Sequence, residues 1–67
     1  MNITINGNAK QIDSENVTIA ALMVTLNLAG KRLAIEKNGE IVPRSQFDTV
    51  NLQEGDMLEI VGAVGGG

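Results

Sequence analysis

An α+β fold follows from three features of this chain. Its two ends alternate polar and apolar residues with a period of two. Two Asn-Gly dipeptides stand at turn spacing, and one stretch between them repeats its apolar residues at helical spacing. The expected body is a mixed sheet of about five strands with one helix packed across one face.

Each element can be justified in order. Residues 2–6 place Ile3 and Ile5 on one face and Asn2, Thr4 and Asn6 on the other, the pattern of a half-buried strand. Asn6 and Gly7 both tolerate positive φ, so the chain turns there and a weaker strand returns through about Ile12. Asp13 to Asn16 is polar and turn-like. Thr18 suits a helix N-cap, because its hydroxyl can accept from a free N–H of the first turn. Val17 before it can pack on Leu22 as a hydrophobic staple. Ile19, Leu22, Met23 and Leu26 then fall on one helical face, and the helix should end near Asn27 to Gly30.

Leu33 and Ile35 alternate with Ala34 and Glu36 in a third strand. Asn38-Gly39 turns the chain into Glu40-Ile41-Val42, a fourth strand that Pro43 ends because it has no N–H to donate. Residues 44–53 read as irregular, with Phe47, Val50 and Leu52 as inward anchors. After a turn at Glu54-Gly55-Asp56, Met57 to Val61 form a fifth strand. Leu58 and Ile60 share one face; Met57, Glu59 and Val61 share the other. The domain is therefore placed at 1–61 and a glycine-rich tail at 62–67. The order β-β-α-β-β-β describes the β-grasp, or ubiquitin-like, fold. In that fold the first and last strands pair in parallel, which would bring the C-terminal end to the sheet's edge.

Composition narrows the function. At 67 residues there is room for one domain, and a chain of this size buries only about 60% of the surface it exposes when unfolded. It has no Cys, His, Trp or Tyr, and its eight acids are scattered, so neither a metal nor a bound cofactor is expected. The net charge is −3; Lys10, Lys31, Arg32, Lys37 and Arg44 form no dense patch, and Phe47 is the only aromatic. Nucleic-acid binding normally needs a basic face with stacking rings, so that class is excluded. No basic-plus-apolar leader or long apolar run stands in the sequence, so neither secretion nor membrane insertion is expected, and the cytoplasm is the expected compartment.

What remains is the ending Gly62-Ala63-Val64-Gly65-Gly66-Gly67. Such an end fits a frayed terminus or a linker. It also fits a specific chemistry. Six extended residues reach about 20 Å, and glycine, lacking Cβ, can thread a narrow channel. A terminal carboxyl with an ordinary pKa of about 3.3–3.7 is ionised at neutral pH and can attack the α-phosphate of ATP. The acyl-adenylate formed can then accept sulfur and become a thiocarboxylate. By contrast, Arg44 reads as a solvated surface charge, and no acids pair as general acid and base.

The stretch Asn38-Gly39-Glu40-Ile41-Val42-Pro43-Arg44-Ser45, the run Gly55 to Val61, the opening Ile3-Thr4-Ile5-Asn6-Gly7 and the closing Gly66-Gly67 resemble the sulfur carrier proteins of thiamine biosynthesis, the ThiS family. The resemblance covers essentially the whole chain. It implies a co-substrate rather than an enzyme. A ubiquitin-activating-like adenylyltransferase would use ATP to adenylate Gly67, the covalent site, with Gly65 and Gly66 as the tail that carries it. Sulfur from cysteine through a desulfurase would give the thiocarboxylate, and thiazole synthase would receive it. Gly62-Ala63 departs from the bulkier residues expected there, which raises the entropic cost of docking a looser tail. Two alternatives stay open: the carrier of molybdopterin biosynthesis, and a ubiquitin-like modifier or interaction module. A partner docking surface is expected at Met57, Glu59 and Val61, with Val64 as an apolar anchor.

Overall fold

A computed structural model describes residues 1–62. β1 (Asn2–Ile5) and β2 (Asn8–Gln11) form the expected hairpin, with Asn6 and Gly7 at φ 51° and 82°. α1 (Ile19–Thr25) begins where Thr18 Oγ1 accepts from the Ala21 N–H at 3.1 Å, and it ends before Asn27, which takes φ 62°. β3 (Leu33–Lys37) and β4 (Glu40–Ile41) flank the second Asn-Gly turn, where φ is 53° and 88°. β4 is one residue shorter than the sequence suggests. Val42 still donates its N–H to the Ile35 carbonyl at 2.8 Å, and Pro43 then ends the pairing. The irregular stretch contains a short 3₁₀ turn, Arg44–Gln46. β5 spans Met57–Gly62.

The strand order is β2-β1-β5-β3-β4. β1 and β5 are parallel; the other neighbours are antiparallel. This is the expected β-grasp arrangement, with one difference in the position of the last strand. β5 is not at an edge. It is hydrogen-bonded on both sides, to β1 through Thr4 and Ile5 and to β3 through Leu33 to Lys37. The chain therefore leaves the sheet from the end of its central strand. Gly62, placed by sequence as the first tail residue, belongs to that strand and pairs with Leu33.

The helix lies on one face of the sheet. Ile19, Leu22 and Met23 are buried and Leu26 is half-buried, as the helical spacing requires. They meet Ile3, Ile35, Leu58 and Ile60 from the strands, with Val17, Val42 and Leu52 closing the sides. At seven residues α1 is too short to persist alone, so tertiary contacts hold it. The irregular stretch supplies some of them. Ile19 donates its N–H to the Val50 carbonyl at 3.1 Å, Ala20 to Phe47 at 2.8 Å, and Leu52 to Val17 at 2.8 Å. The loop thus satisfies N–H groups that a helix start leaves open. Among the described residues no helix is long and apolar enough to cross a membrane.

Candidate functional site at the central strand

β5 organises both faces of the molecule. Leu58 and Ile60 are 1% and 9% exposed and face the helix; Met57 and Val61 between them are 60% and 56% exposed, and Glu59 is exposed too. The register shows which residues share that open face. Thr4 stands beside Met57, Ala34 beside Val61, and Glu36 beside Glu59. Glu36 also pairs with Ile41 of β4, which is 73% exposed. Ile41 was missed by sequence reasoning, although its opposition to Glu36 across the Asn38-Gly39 turn is the signal that could have placed it. The result is an apolar strip of Met57, Val61, Ala34 and Ile41 with two carboxylates in it.

Those carboxylates are directly opposite one another across the β3–β5 ladder. Like charges so placed destabilise a sheet. The one ion pair among the described residues, Lys37 to Asp56 at 3.7 Å, lies elsewhere and does not relieve them. A face that holds exposed apolar groups around an uncompensated negative pair is suited to a partner that brings a cation and apolar contacts.

Two asparagines fix β5 in place. The Asn6 backbone N–H reaches the Leu58 carbonyl at 2.9 Å. Its side chain then pairs with Ile60 as a strand neighbour would: Nδ2 donates to the Ile60 carbonyl at 3.0 Å and Oδ1 accepts the Ile60 N–H at 2.7 Å. At the other end, Asn38 donates its backbone N–H to Met57 at 2.8 Å and accepts the Met57 N–H on Oδ1 at 2.9 Å. Asn38 Nδ2 donates to Asp56 Oδ1 at 3.0 Å. Asp56 is 5% exposed, and its second oxygen accepts the Gln53 N–H at 2.8 Å. The sequence marked both asparagines as turn formers only; nothing in an Asn-Gly pair reveals the side-chain partner.

Val64, Gly65, Gly66 and Gly67 lie outside the described residues. The strand that leads to them is fixed as far as Gly62. Arg44 is exposed, and its Nη2 donates to the Lys31 carbonyl at 3.3 Å, a surface contact. Arg44 and Lys31 border a groove of about 520 Å³ on the helix side, lined also by Met23, Val24, Leu28 and Phe47. It faces away from the open sheet face. No group of three or more His, Cys, Asp or Glu able to hold a metal occurs among the described residues.

Comparison with known proteins identifies this arrangement. The ThiS family model matches residues 3–67, strand and glycine ending alike. The chain belongs to the ThiS family. Among curated relatives, the sulfur carrier protein ThiS of Bacillus subtilis is 32% identical, over 97% of this chain and 98% of its own length. A thiazole synthase of Paramagnetospirillum magneticum is 40% identical over the whole chain, which spans 20% of that relative's length. The crystal structure of the thiamine biosynthesis protein ThiS from Geobacter metallireducens superposes with a TM-score of 0.88 at 33% identity, each chain covered fully. The agreement with that structure bears out the β-grasp reading.

Proposed function

We propose that this chain is a sulfur carrier of thiamine biosynthesis, acting as a co-substrate of other enzymes. The Gly67 carboxylate attacks the α-phosphorus of ATP on a ubiquitin-activating-like adenylyltransferase, and pyrophosphate leaves. A desulfurase draws sulfur from cysteine as a persulfide, whose outer sulfur attacks the acyl carbon and displaces AMP. A thiol reductant then cleaves the resulting acyl disulfide, leaving the thiocarboxylate and a disulfide of the reductant. Thiazole synthase takes up that sulfur. All of this takes place in the cytoplasm. The carrier itself binds no cofactor; ATP is used by its partner.

The observation that supports this reading most is the family match running through the glycine ending, together with a sulfur carrier of nearly the same length among the relatives. Thiazole synthase is favoured as recipient over the molybdopterin branch because relatives of that name include a stretch like the whole of this chain. Docking is assigned to the open face: Met57 and Val61 supply apolar contact, Glu59 with Glu36 attracts a cation, and Val64 adds an anchor beyond the strand. Asn6 holds the carbonyl and N–H of Ile60 within the strand that ends at Gly62.

Intact-mass spectrometry tests the proposal. Incubation with an active adenylyltransferase, ATP and sulfide should add the mass of one sulfur replacing one oxygen, mapped to Gly67. Deleting Gly67 should abolish the product and leave the melting temperature unchanged. A missing mass shift with a partner proven active removes the carrier reading, and an isopeptide-linked ladder replaces it with the modifier. Unfolding on deletion of Gly67 makes the ending structural.

A further inference from the structure

The two Asn-Gly turns carry a chemistry that their role in the hairpins does not use. In such a dipeptide the following backbone nitrogen meets no side chain as it approaches the amide carbon. The glycine nitrogen loses its proton and bonds to Asn Cγ; the Cγ–Nδ2 bond breaks, and that nitrogen leaves as ammonia. Water then opens the cyclic imide at either carbonyl, giving aspartate or isoaspartate. Water is the only co-reactant, and nothing is oxidised or reduced.

In this fold both side-chain amides are held against β5 rather than free to swing onto their own backbone. Closing the ring at Asn6 requires breaking the bonds at 3.0 and 2.7 Å to Ile60. At Asn38 it requires breaking those at 2.9 Å to Met57 and 3.0 Å to Asp56. The outcome of conversion differs between the two. A carboxylate at the Asn6 position still accepts the Ile60 N–H, and its second oxygen faces a neutral carbonyl. At the Asn38 position the new oxygen faces the buried carboxylate of Asp56, whose Lys37 partner stands 3.7 Å away at the other oxygen. Two carboxylates in such a site cannot both stay ionised without large cost.

We propose that Asn6-Gly7 and Asn38-Gly39 are a pair of deamidation sites closed by the side-chain clamps on β5, and that conversion to aspartate at Asn38 opens the start of β5, while conversion to aspartate at Asn6 loses one bond to Ile60 and is better tolerated. Deamidation therefore tracks local opening of the central strand, and the damage falls at Met57, on the open face.

Peptide-mapping mass spectrometry of the full chain, held folded or in urea at mildly alkaline pH, measures the closure. Conversion at both sites should be at least about tenfold slower in the folded chain, since it must proceed through local opening. Equal rates in the two conditions overturn the proposal. The asymmetry is tested with N6D, N38D and the exchange variant N38D/D56N, which restores a donor–acceptor pair with reversed polarity. N38D should melt below N6D, or fail to fold, and N38D/D56N should regain stability relative to N38D. N38D as stable as N6D, or no recovery in the exchange variant, overturns the assignment of Asp56 as the cause.

Discussion

The two faces of β5 share a backbone and obey opposite rules. Toward the helix, Leu58 and Ile60 are enclosed by Ile3, Ile35 and the α1 side chains. Toward solvent, Met57, Glu59 and Val61 are exposed, with no covering layer among the described residues. The inner set is explained by folding: each buried aliphatic side chain contributes about 1.5–3 kcal/mol. The outer set is not. Met57, Val61 and Ile41, each more than half exposed, gain far less from folding, and the Glu36–Glu59 pair opposes it. Residues that fold chemistry does not require are the ones to assign to a partner.

The sharpest way to break that contrast is to truncate neighbours on the same strand. Leu58→Ala should cost about 2–5 kcal/mol, a large share of the stability of so small a domain. Met57→Ala, one residue away, should stay within about 0.5 kcal/mol. Urea unfolding of the two variants decides it, and similar losses would mean that the open face is covered in the free protein. The converse experiment sharpens the contrast. Combining Met57→Ala with Ile41→Ala should weaken binding to thiazole synthase or the adenylyltransferase by about tenfold or more, roughly 1.4 kcal/mol, with no change in melting. Unchanged affinity for both partners would take the docking role away from this face.

A smaller effect tests how the inner face is held. Thr18→Ala removes the hydroxyl that accepts the Ala21 N–H and should cost about 1 kcal/mol by thermal or urea unfolding. The α1 start also depends on carbonyls of Phe47 and Val50, so the cap shares its work with the loop. A loss several times larger would show that Thr18, through its bridge to Asn51, organises the loop as well.

Much of this was legible in the residues, and the remainder has a physical reason for being hidden. The alternation of β5, the helical face and both turns are local patterns, and each appears where its period places it. Sheet order is not local: Ile5 and Leu58 pair across most of the chain, and no periodicity states that β5 lies between β1 and β3. The edge position expected for the C-terminal end was wrong for that reason. Gly62 looked like tail because glycine is a poor strand former, yet a partner on β3 holds it in the ladder. The asparagine clamps were hidden because a turn requires only their backbone conformation. The chemistry proposed for Gly67 comes from composition, which offers no Cys or His, and from the resemblance, which implies the partners; Gly67 itself lies outside the described residues.

The finest test uses one charge to move folding and binding in opposite directions. Glu59→Lys places a cation opposite Glu36 and replaces a repulsive pair with an attractive one. Cross-strand pairs of this kind are worth about 0.2–1 kcal/mol, so the variant should be slightly more stable than the parent. If the open face receives a basic patch, the same change should lower partner affinity, and added salt should narrow the gap between variant and parent because exposed charges are screened. A purely structural Glu59 predicts the stability gain alone. Loss of affinity without any gain in stability would mean that Glu36 and Glu59 already avoid each other in solution, leaving the partner's cation as the reason for keeping both.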